Sequence, residues 1–206
     1  MILNDIRDLP ETGERAVIIN ANTQVFTTLA LFSALRHAGM PVLLIDCEST
    51  DGSWNHFAGL MERHPFDLLR RPLMRHGQTL DWLFQTIPAQ KVLLIDSDCE
   101  LLDPSILVFM RSFIGAETVF GSGFIHGPVW LAYHPDIGLY QERLWVPFAL
   151  LKTARIREAL NAGQTFLEEI LYNDFPAWPW LSRKLHGRFQ SPRLKNARWP
   201  LLNPFR

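Results

Sequence analysis

Four consecutive aliphatic residues, Val92, Leu93, Leu94 and Ile95, run straight into Asp96-Ser97-Asp98. A run with no polar alternation has both faces to bury, which restricts it to an inner strand of a parallel sheet covered by helices on either side. The abrupt change to acid marks the strand's carboxyl end, the edge at which open α/β sheets bind ligands. Two carboxylates one residue apart there supply the hard oxygen ligands that Mg²⁺ or Mn²⁺ takes. The same triplet also suits a polar turn ahead of a helix starting at Asp103-Pro104, and by themselves these residues leave both readings open.

The chain before this run alternates strands and helices. Residues 16–21 read as a first buried strand, 25–37 as a helix closed by Gly39, and 41–46 as a second strand ending in Asp46. A polar loop over 47–53 leads to a short helix near 54–63. Residues 66–69 form a short third strand, 77–86 a helix, and 92–95 the fourth strand. This β-α-β-α-β-α-β order predicts right-handed crossovers and a mainly parallel sheet with helices on both faces. Residues 1–15, with Pro10 and Gly13, read as a polar lead-in. Beyond Pro104 the pattern predicts a helix to 112 and then a strand over 118–125, whose Gly121 and Gly123 bend it beside a ligand or another backbone. Two short strands around Trp130 and Phe148, a helix over 153–161, and weaker helices over 166–172 and 181–186 complete the reading.

A chain of 206 residues, 48% hydrophobic and 20% charged, fits one domain with a real core. We divide it into a ligand-binding half over 16–112, a second half over 113–174, and a basic aromatic tail over 175–206. No apolar run approaches the roughly 20 residues of a membrane-spanning helix, and Met1-Ile2-Leu3-Asn4-Asp5 lacks the basic start of a secretion signal, so a cytoplasmic location is expected. Cys47 and Cys99 provide neither a disulfide framework nor zinc spacing. The tail contains Arg183, Lys184, Arg188, Arg193, Lys195, Arg198 and Arg206 with no acid after Asp174, interleaved with Trp178, Trp180, Trp199 and Phe205. Such a segment meets an anionic membrane face, a lipid-linked pyrophosphate or nucleic acid, or packs its aromatics on the domain.

Three segments together resemble the GT-A glycosyltransferases, specifically the large second family of inverting, nucleotide-sugar-dependent enzymes. Val17-Ile18-Ile19-Asn20-Ala21-Asn22 resembles the family's opening strand. Ile45-Asp46-Cys47-Glu48-Ser49-Thr50-Asp51-Gly52-Ser53 is similar to its second-strand motif, and Leu94-Ile95-Asp96-Ser97-Asp98 to its Asp-any-Asp (DXD) signature. His76-Gly77-Gln78-Thr79-Leu80-Asp81 falls where the family has a loop and helix facing the diphosphate. The resemblance covers residues 16 to about 112. It implies a single-domain GT-A (Rossmann-like) α/β fold with strand order 3-2-1-4 in the N-terminal half. With that order Cys47 and Cys99 follow strands two places apart, about 10 Å, too far for a disulfide.

The resemblance further implies Mn²⁺ or Mg²⁺ at Asp96 and Asp98, with Asn20, Asn22, Asp46, Glu48, His76, Asp96 and Ser97 around a nucleotide-diphospho-sugar donor. The acceptor is then a glycan or lipid-linked group, with peripheral contact at the inner face of the membrane through the tail and no nucleic acid. Cys47 stands where the family has an acid that often contacts the base, which leaves Asp46 or Glu48 to substitute. The catalytic base of the family falls in an interval where this chain offers Glu168, Glu169 and Asp174, of which Glu169 matches the second acid of the family's pair.

Several positions keep a structural alternative. Asp46 either contacts the nucleotide or ends its strand and caps the loop, and Asp51-Gly52-Ser53 reads better as a turn than as a ligand. His76 faces a phosphate or is a surface histidine. His126, His134 and Arg143 line an acceptor or diphosphate pocket, or pair locally, and Trp130, Trp145, Trp178 and Trp180 stack on sugars or fill the core. Two other functions compete: a glycosyltransferase-like domain that binds or assembles without chemistry, and a sugar-phosphate nucleotidyltransferase. The second expects a Gly-rich basic loop after the first strand, where this chain has Asn22-Thr23-Gln24-Val25-Phe26. A haloacid-dehalogenase-like phosphatase expects its two acids after the first strand rather than the fourth.

Overall fold

The computed structural model describes residues 1–117, 119–125 and 144–166, which belong to one compact unit, Met1–His126 with Arg143–Phe166. In chain order the elements are β1 (Ile2–Leu3), a 3₁₀ turn (Ile6–Asp8), β2 (Thr12–Asn20), α1 (Gln24–His37), β3 (Val42–Asp46), α2 (Ser53–Leu60), β4 (Asp67–Arg70), α3 (His76–Thr86), β5 (Ala89–Asp96), α4 (Ser105–Phe113), β6 (Gly121–Ile125), β7 (Leu144–Lys152) and α5 (Thr153–Asn161). They build a seven-stranded sheet ordered β1-β4-β3-β2-β5-β7-β6. The first five strands in that order are parallel, whereas β7 runs antiparallel to β5 and β6 antiparallel to β7. The four strands expected from the sequence are β2 to β5, and β4-β3-β2-β5 is the 3-2-1-4 order.

Alternation along the strands sorts two cores onto the two faces. Ala16, Ile18, Val42, Leu44, Leu68, Leu93 and Ile95 face α1, α2 and α4, where they meet Leu31, Phe57, Leu107 and Met110. Val17, Leu43, Ile45, Leu69, Val92 and Leu94 face the other way, against Ile6, Leu80, Leu83, Phe84 and Ile156. Both faces of each inner strand are therefore dry, which is why these stretches show no polar alternation. Gly123 serves a packing purpose. A Cβ there would lie 2.7 Å from the Phe148 carbonyl oxygen, so only glycine lets β6 close on β7.

The lead-in reading of residues 1–15 is corrected. Leu3, Ile6 and Leu9 are buried, and β1 is held at the sheet edge by the Met1 ammonium, which donates to the Phe66 carbonyl oxygen and ion-pairs with Asp67. Strand β2 starts at Thr12, earlier than expected, because its polar residues have partners. Arg15, fully buried, ion-pairs with Asp67 at 2.8 Å; Glu14 takes Lys91 at 3.1 Å and Arg111 at 2.8 Å, tying β2 to β5 and α4. The short strand expected around Phe148 is the nine-residue β7. The strand near Trp130, the helices over 166–172 and 181–186, and the tail lie outside the described residues.

Candidate functional site

Strands β2, β3 and β5 end side by side: Asn20 is opposite Asp46, and Ile19 is opposite Asp96. Because successive side chains point to opposite faces, these acids go different ways. Asn20 and Asp46 turn toward the first turn of α1, on the side of Ile18 and Leu44. Asp96 follows Val92 and Leu94 to the side of α3.

Beneath α1, Asn20 and Asp46 are fully buried. The Asn20 amide donates to Asp46 Oδ1 at 2.7 Å and to Ser49 Oγ at 2.9 Å. Its oxygen accepts from the Thr27 hydroxyl at 2.8 Å and from the Thr23 hydroxyl at 2.9 Å. Asp46 Oδ2 accepts the Ser49 backbone N–H. With both oxygens engaged and no accessible surface, Asp46 has nothing to offer a base, and Asn20 is equally committed. Through these bonds they lace the loop after β2 to the loop after β3. Asn22, exposed and at φ 58°, a left-handed conformation that asparagine tolerates, continues the lacing by accepting the Thr50 N–H at 2.7 Å. Asp51 accepts N–H groups from both Gln24 and Ser53, at 3.1 Å each, and so caps α1 and α2 together. Hydrogen bonding from Ser53 holds its carboxyl below the usual range. Gly52 sits at φ 89° between Asp51 and α2, in a conformation that favours glycine. The Asp-Gly-Ser stretch is therefore the turn expected.

On the α3 side the surroundings are open and charged. Asp96 is half-buried, Ser97 half-buried and Asp98 exposed, in a tight turn closed by the Cys99 N–H on the Asp96 carbonyl oxygen at 3.0 Å. Burial raises the Asp96 carboxyl above its ordinary value; His76 pulls it down and Asp98 pushes it up. His76 is the exposed first residue of α3 and acts electrostatically on Asp96. Among the described residues no cluster of three or more His, Cys, Asp or Glu could hold a metal ion. The pair fits Mg²⁺ or Mn²⁺ as two hard oxygen donors whose mutual repulsion a divalent ion relieves, with the remaining positions left to a ligand's oxygens and water. Glu48, which follows Cys47 in the loop after β3, is exposed at φ 47°.

The structure adds Arg71, which the sequence reading passed over. Arg71 directly follows β4, its N–H donating to the Asp46 carbonyl oxygen at 2.9 Å. Its guanidinium lies 3.7 Å from the centre of the Trp82 ring and donates to Met74 Sδ, while Nε is buried without a partner. No described carboxylate pairs with it, and burial lowers its proton affinity. The guanidinium is thus stacked on an aromatic ring at the carboxyl end of the sheet. The signal was available: Arg70-Arg71 follows Leu68-Leu69 at the same edge as Asp46 and Asp96. Cys47 lies beside it, its thiol raised to about 11 mainly by burial and only partly offset by Arg71. Both cysteines are free. The candidate bases Glu168, Glu169 and Asp174 lie outside the described residues, as do His126, His134, Arg143 and Trp130; nothing is described of the Trp145 side chain.

No family model matches the sequence, and no curated protein matches it. Solved structures do. TarS 1–349 from S. aureus shares 15% identity with a TM-score of 0.51, over 70% of this chain and 48% of that one, and the same protein is known with UDP. The mannosyltransferase PcManGT from Pyrobaculum calidifontis, in complex with GDP-Man and Mn²⁺, shares 14% identity with a TM-score of 0.54, over 74% of this chain and 47% of that one. Glucosyl-3-phosphoglycerate synthase from Mycobacterium tuberculosis, with Mn²⁺, UDP and phosphoglyceric acid, shares 15% identity with a TM-score of 0.51, over 68% and 56%. The chain thus spans about half the length of the structures it matches. At these identities the likeness concerns the fold, and the fold of this chain is the GT-A fold of glycosyltransferases.

Proposed function

We propose that the chain transfers a sugar from a nucleotide-diphosphate donor to a hydroxyl acceptor in a metal-dependent, inverting reaction. The observation that carries the reading is the grouping at one sheet edge of an acid pair, Asp96 and Asp98, with His76 at the start of α3 and with Arg71 stacked on Trp82. Acids that take a divalent ion beside cations that take phosphate or base oxygens suit a nucleoside diphosphate. The bound ligands of the mannosyltransferase and the synthase, GDP-Man or UDP with Mn²⁺, agree with this chemistry.

Asp96 and Asp98 would hold a divalent ion, which would supply positive charge to offset that building on the departing diphosphate. His76 at the start of α3 adds favourable potential there. Arg71 orients the donor's nucleoside end, and the Asn20–Asp46 lacing keeps the loops after β2 and β3 fixed around it. The acceptor oxygen bonds to the anomeric carbon as that carbon's bond to the diphosphate oxygen breaks, and the acceptor proton passes to a carboxylate. Glu169 is our choice for that base over Glu168 and Asp174. The basic tail over 175–206 supports contact with an anionic membrane face. A second reading, a binding or assembly domain without chemistry, is favoured by Cys47 in place of an acid.

Release of nucleoside diphosphate from sugar nucleotides, with and without Mn²⁺, separates the two. Slow metal-dependent release without acceptor, faster with one, is expected of the enzyme. Metal-dependent binding with no release would assign the binding role. Single alanine replacements of Glu168, Glu169 and Asp174, with donor affinity measured separately, then test the base: wild-type transfer by all three would overturn this mechanism.

A further inference from the structure

The half-buried Arg71 carries more hydrogen-bond donors than its surroundings satisfy. Its guanidinium rests on the Trp82 ring at 3.7 Å, and its side chain's one hydrogen bond to a described residue goes to Met74 Sδ. A thioether is a weak acceptor, and Met74 is 41% exposed, so a ligand oxygen can displace it. The Arg71 Nε is buried without a partner. Five N–H groups in a rigid fork, held at the carboxyl end of the sheet and largely unmet, call for adjacent acceptors from outside the described fold.

Cys47 is the neighbour that narrows what those acceptors are. The strand ladder continues one residue past β3 and β4, with the Arg71 N–H on the Asp46 carbonyl oxygen at 2.9 Å and the Cys47 N–H on the Asn20 carbonyl oxygen at 2.8 Å. Cys47 packs with Ile45 and Leu69 on the α3 side of the sheet, the side on which Trp82 holds Arg71. Burial raises its thiol to about 11, so at neutral pH it is uncharged and gives Arg71 no carboxylate-like partner. Asp96 belongs to the same side. The order β4-β3-β2-β5 sets three strand spacings, about 14 Å, between the strand that ends at Arg71 and the strand that ends at Asp96. A nucleoside diphosphate laid across the strand ends spans that distance, with its phosphates at Asp96 and Asp98 and its base at Arg71.

We propose that Arg71 and Cys47 select the nucleobase, taking one that presents a carbonyl oxygen beside an unprotonated ring nitrogen. Guanine offers that pair at O6 and N7 and cytosine at O2 and N3, and a guanidinium fork bonds both atoms at once. Uracil carries a proton on the ring nitrogen between its carbonyls, and the Cys47 sulfur is a poor acceptor for it. Adenine sets an amino group beside N7, which meets the fork donor to donor. The proposal rests on the donor reading of Asp96 and Asp98 and deepens it by naming the base class.

Calorimetric titration of the full chain with GDP, CDP, UDP and ADP at saturating Mn²⁺ tests the assignment. GDP or CDP is expected to bind on the order of tenfold tighter than UDP and ADP. Cys47→Asp places an acceptor for the uracil N–H beside Arg71 and occupies part of the fork, so UDP is expected to gain on the better of GDP and CDP by about tenfold. Because Cys47 is buried, that variant may not fold, and Arg71→Gln provides the second test: without the fork the four affinities are expected to fall within about threefold of one another. Equal affinities in wild type, a preference for UDP or ADP, or a GDP or CDP preference that survives Arg71→Gln overturns the proposal. Metal-dependent binding without base preference removes the base assignment alone and leaves the donor reading standing. Failure of all four nucleotides to bind removes the donor reading and the base assignment with it.

Discussion

Replacing Asn20 with alanine removes the hub of the network beneath α1, and its cost follows from the bonds it makes. Asp46 is buried and has two donors, the Asn20 amide at 2.7 Å and the Ser49 N–H at 3.2 Å. Losing the amide leaves a buried carboxylate half-satisfied, which costs about 2 kcal/mol. The hydroxyls of Thr23 and Thr27 lose an acceptor, but they lie 3.0 Å apart and partly satisfy each other, so their share is about 1 kcal/mol. With Ser49 Oγ also released, the total is about 3 to 4 kcal/mol, or a Tm lower by roughly 10 °C for a domain of this size. Urea denaturation with an unchanged slope reads this loss. A double-mutant cycle with Asp46→Ala is expected to give a coupling of at least about 1 kcal/mol. Asn20→Asp sets two carboxylates together, so it is expected to cost more than alanine at neutral pH and to recover as the pair takes up a proton in acid. A loss below about 1 kcal/mol for Asn20→Ala, or no coupling to Asp46, would refute the positioning role.

Three further outcomes are expected. Burial raises the Glu14 carboxyl, but hydrogen bonds from Arg111 and Lys91 outweigh it and hold it below the usual value; a depressed carboxyl stabilises the fold above its unfolded pKa, and the contribution is lost as pH falls through the folded value. Glu14→Gln is therefore expected to cost about 1 kcal/mol near pH 7 and progressively less below the ordinary carboxylate range, read by denaturation at a series of pH values. Arg71→Ala is expected to weaken nucleoside diphosphate binding at least tenfold by calorimetry while Arg71→Lys restores little of it, because a lysine does not reproduce the stacked fork on Trp82; equal affinity in all three proteins would remove Arg71 from the site. Truncation after Asp174 is expected to reduce binding to anionic vesicles at low salt more than it changes nucleotide affinity, and full-length protein that ignores such vesicles would leave the tail without that role.

The strands that define the fold could be read from the sequence because each inner strand is dry on both faces, and a dry strand announces itself in Val, Leu and Ile. Where the partner is remote, local pattern is silent. Arg15 is fully buried yet looks like a surface residue until Asp67, distant in sequence, is brought beside it. The two-residue β1 has no periodicity to detect, and the terminal ammonium that secures it leaves no trace in local pattern. The acid pair was found because Asp96 and Asp98 end a strand abruptly. Asp46 ends a strand as well, but alternation sends it to the other face, and one position of pleat separates a lacing residue from a candidate ligand. Arg71 was missed because its meaning depends on Trp82, which comes from the next helix and stacks on it only in three dimensions.

Calorimetric titration of UDP and GDP into wild type and Asp98→Ala across a Mn²⁺ series tests the central claim most directly. Asp98 is exposed at the turn, so its removal leaves the fold intact. At least one nucleotide is expected to bind wild type ten or more times tighter with Mn²⁺ than without, and Asp98→Ala is expected to show no response to the metal. Identical metal dependence in the two proteins, or no nucleotide binding by wild type at saturating Mn²⁺, would contradict the account.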